Sequence, residues 1–301
     1  MRILVTGGKG TVGTCLVKEL INQNHEVYIC DLKHSYEKNY FRCDVSKFRQ
    51  LQKIFENNSF DYVYHLAAEF GRWNGEDYYE NLWETNAIGT KNILRLQKQY
   101  NFKLIFSSSS EVYGDFEGKM TENVMENYEI KQMNDYAISK WVNEMQILNA
   151  ETASSNQVVR VRLFNTYGPG EYYTPYRSVT CLFIYHVLHD LPYTVYVGHK
   201  RNSLYINDCT RCLANIIDNF NAGEVYNISG PGLHDIKTIS DIILNYLNKD
   251  DNQVTYKVRE EFATKIKQPD ISKAKRDLNY LPKINIKEGI PKTIEWMKKV
   301  Y

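Results

Sequence analysis

Short runs of β-branched and aromatic residues alternate along the chain with longer stretches in which apolar positions recur every three or four residues. RILVT (2–6) reads as a strand and about 11–23 as a helix, and EVYICD (26–31) is a second strand. The amphipathic VSKFRQLQKIFENN leads into a third strand, DYVYHLA (61–67). A long helical pattern covers about 78–99, FKLIFSSS (102–109) is a strand, about 134–152 is helical, and VVRVRLF (158–164) is again a strand. Strands separated by helices cannot pair as hairpins, so the alternation predicts a parallel sheet covered on both faces. Right-handed crossovers make such a sheet doubly wound.

After Phe164 the rhythm breaks. NTYGPGEYYTPYR (165–177) is rich in turn formers and aromatics and reads as loop. A helix over about 178–190, a strand at 194–197, a helix from near Asp208, the strand EVYNIS (224–229) and helices near 236–248 and 286–299 follow. We therefore expect a first domain over 1–165, with segments near 202–228 returning to its sheet, and a smaller lid-like domain over most of 166–301. No internal repeat or low-complexity tract interrupts either.

Composition narrows the function classes. The 301 residues are 43% hydrophobic, enough for a sizeable core, and the formal net charge of +1 gives no field for nucleic acid or membrane. No basic stripe interleaved with aromatics is present and no apolar run reaches membrane-spanning length. Six scattered cysteines, with an N-terminus that reads directly as a strand, suggest a reduced, cytoplasmic protein. Cys209 and Cys212 form a CxxC with no second pair at zinc spacing, and His186 and His189 fit one helix face, so no metal is expected.

TGGKGTVG places Gly7, Gly10 and Gly13 between the first strand and its helix. A pyrophosphate must approach backbone N–H groups at a helix N-terminus, and a side chain at the closest glycine would block it. Asp31 ends the second strand, where a carboxylate accepts hydrogen bonds from adenosine ribose hydroxyls and repels a 2′-phosphate. That favours NAD over NADP, although Lys33 and His34 follow. Asp44, in RCDVS, reaches toward an adenine edge or caps the helix after it.

NDYAISKW sets Tyr136 and Lys140 at i, i+4, on one face of a helix. A phenol is a poor base at neutral pH unless an adjacent cation stabilises its anion, and a lysine one turn away does so. With these residues on the page the chain resembles the extended short-chain dehydrogenase/reductases of the nucleotide-sugar epimerase/dehydratase family. The resemblance runs through TGGKGTVG, CDV, YHLAA, ETNAIGT, FSSSSEVYG, YAISK, RLFNTYGPG and RNSLYINDC in that order. It implies a Rossmann domain with a smaller C-terminal substrate-binding domain, NAD as cofactor, a nucleotide-diphosphate sugar as substrate and a homodimer formed through the two long helices. It assigns Gly7, Gly10 and Gly13 to the NAD pyrophosphate, Asp31 to the ribose, and Asp44 with Val45 to the adenine. Ala67 and Ala68 line the pyrophosphate path with Asn86 nearby. Ser109 pairs with Tyr136 at the C4 hydroxyl, Lys140 supports tyrosine and cofactor, and Asn165 and Arg201 contact the diphosphate. Arg177, in the unusual EYYTPYRSV, is a further diphosphate candidate by our own reading, beside the alternative of a surface arginine.

Oxidation at C4 acidifies the proton at C5, and Glu111 is placed to take it. An epimerase needs no carboxylate there. A 4,6-dehydratase needs a base at C5 and an acid for the C6 hydroxyl. Dehydratases that act on dTDP-glucose carry Thr-Asp-Glu where this chain has Ser109-Ser110-Glu111, whereas GDP-mannose dehydratases and UDP-glucuronate decarboxylases carry Thr-Ser-Glu. The expectation is net 4,6-dehydration, ahead of C4 dehydrogenation, epimerisation and decarboxylation in that order, with surface polysaccharide synthesis as the usual setting. AEFGRWNGEDYYENLW (68–83) reads as a loop whose Glu69, Arg72 and Trp73 select the hexose or heptose, or simply pack on the long helix. A non-catalytic NAD sensor is the rival class, but a sensor has no use for Ser109, Tyr136 and Lys140 together.

Overall fold

The computed structural model describes residues 1–301. The chain divides into two compact units, one of 1–112, 134–162 and 210–226, the other of 113–133, 163–209 and 227–301. The segment 113–133 thus groups with the second unit although it lies within 1–165.

A seven-stranded sheet dominates. Its strands are β1 (Arg2–Thr6), β2 (Glu26–Asp31), β3 (Tyr40–Arg42), β4 (Tyr62–His65), β5 (Lys103–Ser109), β6 (Val158–Leu163) and β7 (Val225–Ile228). Their order is β7-β6-β5-β4-β1-β2-β3. The pairs β1–β2, β1–β4, β2–β3 and β4–β5 are parallel, and the order reverses direction after β1, as in a doubly wound Rossmann sheet. All four residues of β4 are buried, as expected for a central strand covered on both faces. Two of them are tyrosines, whose hydroxyls donate to the carbonyls of Ile217 and Leu213 and so meet the cost of burial. Helices α1 (Thr11–Asn22), α2 (Phe48–Glu56), α3 (Arg72–Asp77), α4 (Tyr79–Trp83), α5 (Gly89–Tyr100) and α6 (Asp135–Ser154) complete most of this unit. One apolar core joins Leu51, Ile54 and Phe55 of α2, Ile93, Leu94 and Leu96 of α5, and Leu4, Val63, Leu104 and Phe106 of the strands. Helix α6 begins where expected, because Asn134 accepts the Ala137 N–H at 2.8 Å as its cap.

Three expectations need correction. The helix expected over 78–99 is α4 and α5 joined by a π-helical segment, Glu84–Ile88. The side chain of Asn86, inside that segment, is tied to the backbone of Glu69 and to Ser139, and one extra residue in the turn accommodates it. The supposed loop over 68–83 is largely helical, as α3 and α4. Lastly, α2 has Lys47, not Asp44, at its N-cap. Asp44 instead accepts the Ser46 N–H at 2.9 Å in a turn before the helix, while Gln50 reaches back to the Asp44 N–H at 2.8 Å.

In the second unit, after a short helix at Val124–Asn127, the helices in chain order are α7 (Val179–Leu188), the first turn of α8 (Ile206–Asn215), α9 (Ile236–Leu247), α10 (Ser272–Leu278) and α11 (Ile286–Met297), together with small two-stranded ladders. Tyr193–Tyr196 pairs in parallel with Val254–Lys257, and Lys200–Arg201 antiparallel with His234–Asp235. Helix α8 opens at Ile206, close to Asp208 as expected, and the buried Asp208 carboxylate accepts the N–H groups of Lys283 and Ile284, both at 2.8 Å.

Candidate active site

The glycine turn joins β1 to α1. Gly7 has φ of +70°, a left-handed conformation that costs other residues roughly 1–2 kcal/mol. A Cβ on Gly7 would stand 2.7 Å from Ala67 N, and one on Gly13 only 2.2 Å from Gly7 O. These two glycines let the turn close on itself and on the end of β4. Gly10 differs. It is the N-cap of α1 with no side-chain cap, and the only neighbour of a Cβ there would be Gly7 O at 3.2 Å. The N-terminus of α1 is therefore a cradle of backbone donors open at Gly10, and it fits a pyrophosphate.

Asp31 ends β2 beside that cradle. Its carboxylate accepts the Lys9 N–H at 2.9 Å and the Lys33 N–H at 3.2 Å, so it also shapes the turn. A carboxylate has about four acceptor positions, which leaves capacity for ribose hydroxyls. Lys9 itself is paired with Glu37, and Lys33 and His34 are exposed. Val45 is buried, and Asn92 donates to the carbonyls of Val45 and Ser46 at 3.0 Å each.

At the end of β4, Ala67 N donates to Thr6 Oγ1 at 3.3 Å, and Thr6 Oγ1 lies 2.8 Å from His65 Nδ1. Burial, with Lys140 nearby, pushes the His65 imidazole down to about 3, so the ring is neutral. Its Nε2 lies 3.3 Å from Thr90 Oγ1. The next residues are pinned by Asn86, whose amide accepts from Glu69 N at 2.9 Å and donates to Glu69 O at 3.0 Å and to Ser139 Oγ at 2.9 Å. Ser139 Oγ in turn donates to Tyr136 O at 2.8 Å. Glu69 Oε2 accepts from Asn74 Nδ2 at 2.9 Å. Arg72 is half-buried and Trp73 exposed on the short helix α3.

Each residue of the serine run has a partner or a place. Ser107 O accepts from Lys140 Nζ at 2.8 Å, and Ser108 Oγ donates to Glu144 Oε1 at 2.5 Å. Ser109 is hydrogen-bonded to the Tyr136 side chain and accepts the Glu111 N–H at 3.2 Å. Ser110 is buried and opens a 3₁₀ turn that carries Glu111. Burial holds the Tyr136 phenol up at about 12, with the Ser109 bond pulling it down and the Glu111 charge pushing it up. Burial likewise brings the Lys140 ammonium down to about 7, opposed by Glu144. Together the pair has a proton to lose near neutrality. Ser109, Glu111, Tyr136 and Lys140 thus meet at the end of β5.

Asn165, Arg177 and Arg201 belong to the second unit. Asn165 has φ of +40° and its amide donates to Asn202 O at 3.4 Å. Arg201 is buried and its Nη1 donates to the carbonyls of Lys200 and Lys265, both at 2.9 Å. Arg177 Nε donates to Tyr172 O at 2.9 Å within its own loop. Sequence reasoning missed Thr6, His65, Ser139 and Glu144. Only Glu144 carried a signal, a third polar residue at i+4 after Tyr136 and Lys140. All six cysteines are free, and no cluster of three or more His, Cys, Asp or Glu is placed to hold a metal. No helix is long and apolar enough to cross a membrane.

The profile described as "NAD dependent epimerase/dehydratase family" matches residues 3–229. UDP-N-acetyl-alpha-D-glucosaminuronate decarboxylase of Bacillus cytotoxicus is 29% identical, over 99% of this chain and 98% of that protein. The dTDP-glucose 4,6-dehydratase of Salmonella typhimurium is 28% identical, over 98% and 92%. Among solved structures, Pal from Bacillus thuringiensis is 30% identical with a TM-score of 0.86 and covers all of both chains.

Proposed function

The chain belongs to the NAD-dependent epimerase/dehydratase family, and we propose that it oxidises C4 of a nucleotide-diphosphate sugar and then eliminates water across C5 and C6. NAD is the cofactor. The observation that carries the reading is one cluster: Ser109 bonded to Tyr136, Lys140 one helical turn beyond it, and Glu111 close enough for its charge to bear on Tyr136.

Tyr136 takes the proton of the C4 hydroxyl, with Ser109 holding the same oxygen and Lys140 stabilising the phenolate. NAD, when bound, supplies the acceptor for the C4 hydride and the donor for its return. The C4 ketone acidifies C5, and Glu111 removes that proton. The same carboxyl group then protonates the departing C6 hydroxyl, so a C5–C6 double bond forms and water leaves. Reduction at C6 and protonation at C5 complete a 4-keto-6-deoxy sugar, one water lighter than the substrate. In this reading Gly7, Gly10, Gly13, Ala67, Ala68 and Asn86 frame the pyrophosphate path, and Asp31, Asp44 and Val45 the adenosine. Asn165, Arg177 and Arg201 receive the substrate diphosphate, and Glu69 and Arg72 the sugar.

One observation favours a second reading. Ser110 stands where a dedicated acid for C6 would be, and decarboxylation needs no such acid, because a C6 carboxylate β to the new ketone leaves as carbon dioxide. The similarity to uronate decarboxylases supports it. Mass spectrometry with NAD and a panel of UDP-, GDP-, CDP- and dTDP-sugars, uronates included, separates the outcomes. Loss of water supports dehydration, and loss of carbon dioxide supports decarboxylation. Loss of two hydrogens with NADH accumulating means a C4 dehydrogenase, and an isobaric product an epimerase.

We propose in addition a cytoplasmic homodimer. Ile138, Met145 and Leu148 leave an apolar stripe on α6 that is 36–38% exposed, and Ile88 is 50% exposed. Sedimentation of the wild type against Met145→Glu tests it.

A further inference from the structure

Behind the Tyr136–Lys140 pair lies a group of buried charges that the proposed chemistry does not use. Tyr136, Lys140 and Glu144 follow one another at i, i+4, i+8 along α6 and so share a face. Arg160 and Arg162 are two apart on β6 and point to one side of the sheet. Glu144 is fully buried, and Lys140, Arg160 and Arg162 are 3%, 6% and 2% exposed. The Glu144 carboxylate accepts Arg162 Nε at 2.9 Å and Nη2 at 2.8 Å in a bidentate fork, and Ser108 Oγ at 2.5 Å. Arg160 Nη1 stands 3.9 Å away.

A buried ion pair is weak grounds for stability, since apolar residues of the same volume often serve as well. The arrangement does something an apolar plug would not. Ser108 lies between Ser107, whose carbonyl takes the Lys140 ammonium, and Ser109, which meets Tyr136. The bond from Ser108 to Glu144 therefore locks β5 against α6 in the one register that presents both neighbours. We propose that Glu144 is a positioning residue, which sets this register and serves as the buried countercharge that governs the protonation of Lys140. The inference rests on the proposed use of Tyr136 and Lys140.

Charge bookkeeping supports it. Three cations, Lys140, Arg160 and Arg162, surround the Glu144 carboxylate, and it is the negative charge that bears on Lys140. The other groups facing Lys140 are the Ser107 carbonyl, the ring of Phe106 with its centroid 5.1 Å away, the ring of Tyr136 at 5.9 Å, and the neutral His65. Glu111 bears on Tyr136, and Glu151 sits beside Arg160, where burial raises its carboxyl.

The test uses the full-length protein and two substitutions of opposite sign. Glu144→Gln removes a negative charge and is expected to move the Lys140 titration, and the acid limb of the kcat/KM profile, to lower pH by about one unit. Arg160→Gln removes a positive charge held more loosely and is expected to move both to higher pH. The Lys140 titration is read without any sugar, from [ε-13C]lysine spectra with the signal assigned by difference against Lys140→Arg. Opposite shifts establish the role. Unchanged titrations, or shifts of the same sign, overturn it, even if both variants lose stability. If Glu144→Gln does not fold, Arg160→Gln alone decides by the direction of its shift. A wild-type protein that oxidises no nucleotide sugar but shows the opposite NMR shifts would refute the proposed function and leave this inference standing.

Discussion

Gly10 and Gly13 stand three residues apart in one turn, and alanine at each is expected to fail differently. At Gly13 a Cβ would lie 2.2 Å from Gly7 O and 2.7 Å from Gly8 Cα, both backbone atoms that cannot rotate away. Relief requires α1 to move off the turn, and overpacking of this kind costs about 1–3 kcal/mol, with rigid neighbours favouring the upper end. At roughly 2–4 °C per kcal/mol, Gly13→Ala should lower Tm by about 5–10 °C. At Gly10 the backbone (φ −75°, ψ 175°) is open to alanine, and the sole contact is Gly7 O at 3.2 Å. Gly10→Ala should therefore hold its Tm within about 2 °C, because the small crowding is offset by a less flexible unfolded chain. Its methyl group, however, occupies the space a pyrophosphate needs, and NAD affinity should fall at least about tenfold, ~1.4 kcal/mol. Thermal unfolding and NAD titration by calorimetry measure both. A Gly10→Ala protein that binds NAD like the wild type would refute the placement of the pyrophosphate at this helix N-terminus.

Other substitutions test the remaining parts of the account. Tyr136→Phe should retain fold and NAD binding and lose turnover by about 100-fold or more, as expected for removal of a general base; turnover within a few-fold of wild type would remove Tyr136 from the chemistry. Activity should rise with pH through about 7, because the protonated pair must lose one proton before the phenolate can form and Lys140 lies at about 7; a profile flat from pH 6 to 8 would contradict this. His65 has a folded value near 3, below its ordinary one, so the unfolded chain binds the extra proton first. Stability should then decline as pH falls from about 6.5 toward 3, and His65→Asn should flatten that part of the Tm–pH curve. Glu111→Gln should still form NADH from the sugar in a single turnover while losing the water-eliminated product; loss of both would make Glu111 a binding residue for the first step.

The main sheet was legible in the sequence because its strands are buried on both faces and read as unbroken apolar runs: RILVT and EVYICD lie where expected, to the residue. Strand Tyr40–Arg42 was not, since three residues carry no period. The break in the helix at 84–88 was hidden because its cause is tertiary, the tie from Asn86 to Glu69 and Ser139, and helical periodicity tolerates one extra residue. The same limit applies to the site. Tyr136 and Lys140 announce themselves by spacing on one helix, and the glycines by their place after a strand. The link from Ser108 to Glu144 and Arg162 joins residues 18 to 36 positions apart on three elements, which only the fold brings together.

Transfer of the hydrogen at C4 is the claim on which the rest depends, and it can be followed with an isotope. Nucleotide sugars bearing deuterium at C4 would be incubated with the protein and NAD, and the products read by mass spectrometry and NMR. The account predicts a product one water lighter, with a keto group at C4 and the deuterium relocated to C6. Every sugar recovered unchanged, with its deuterium still at C4 in the original configuration, would contradict it.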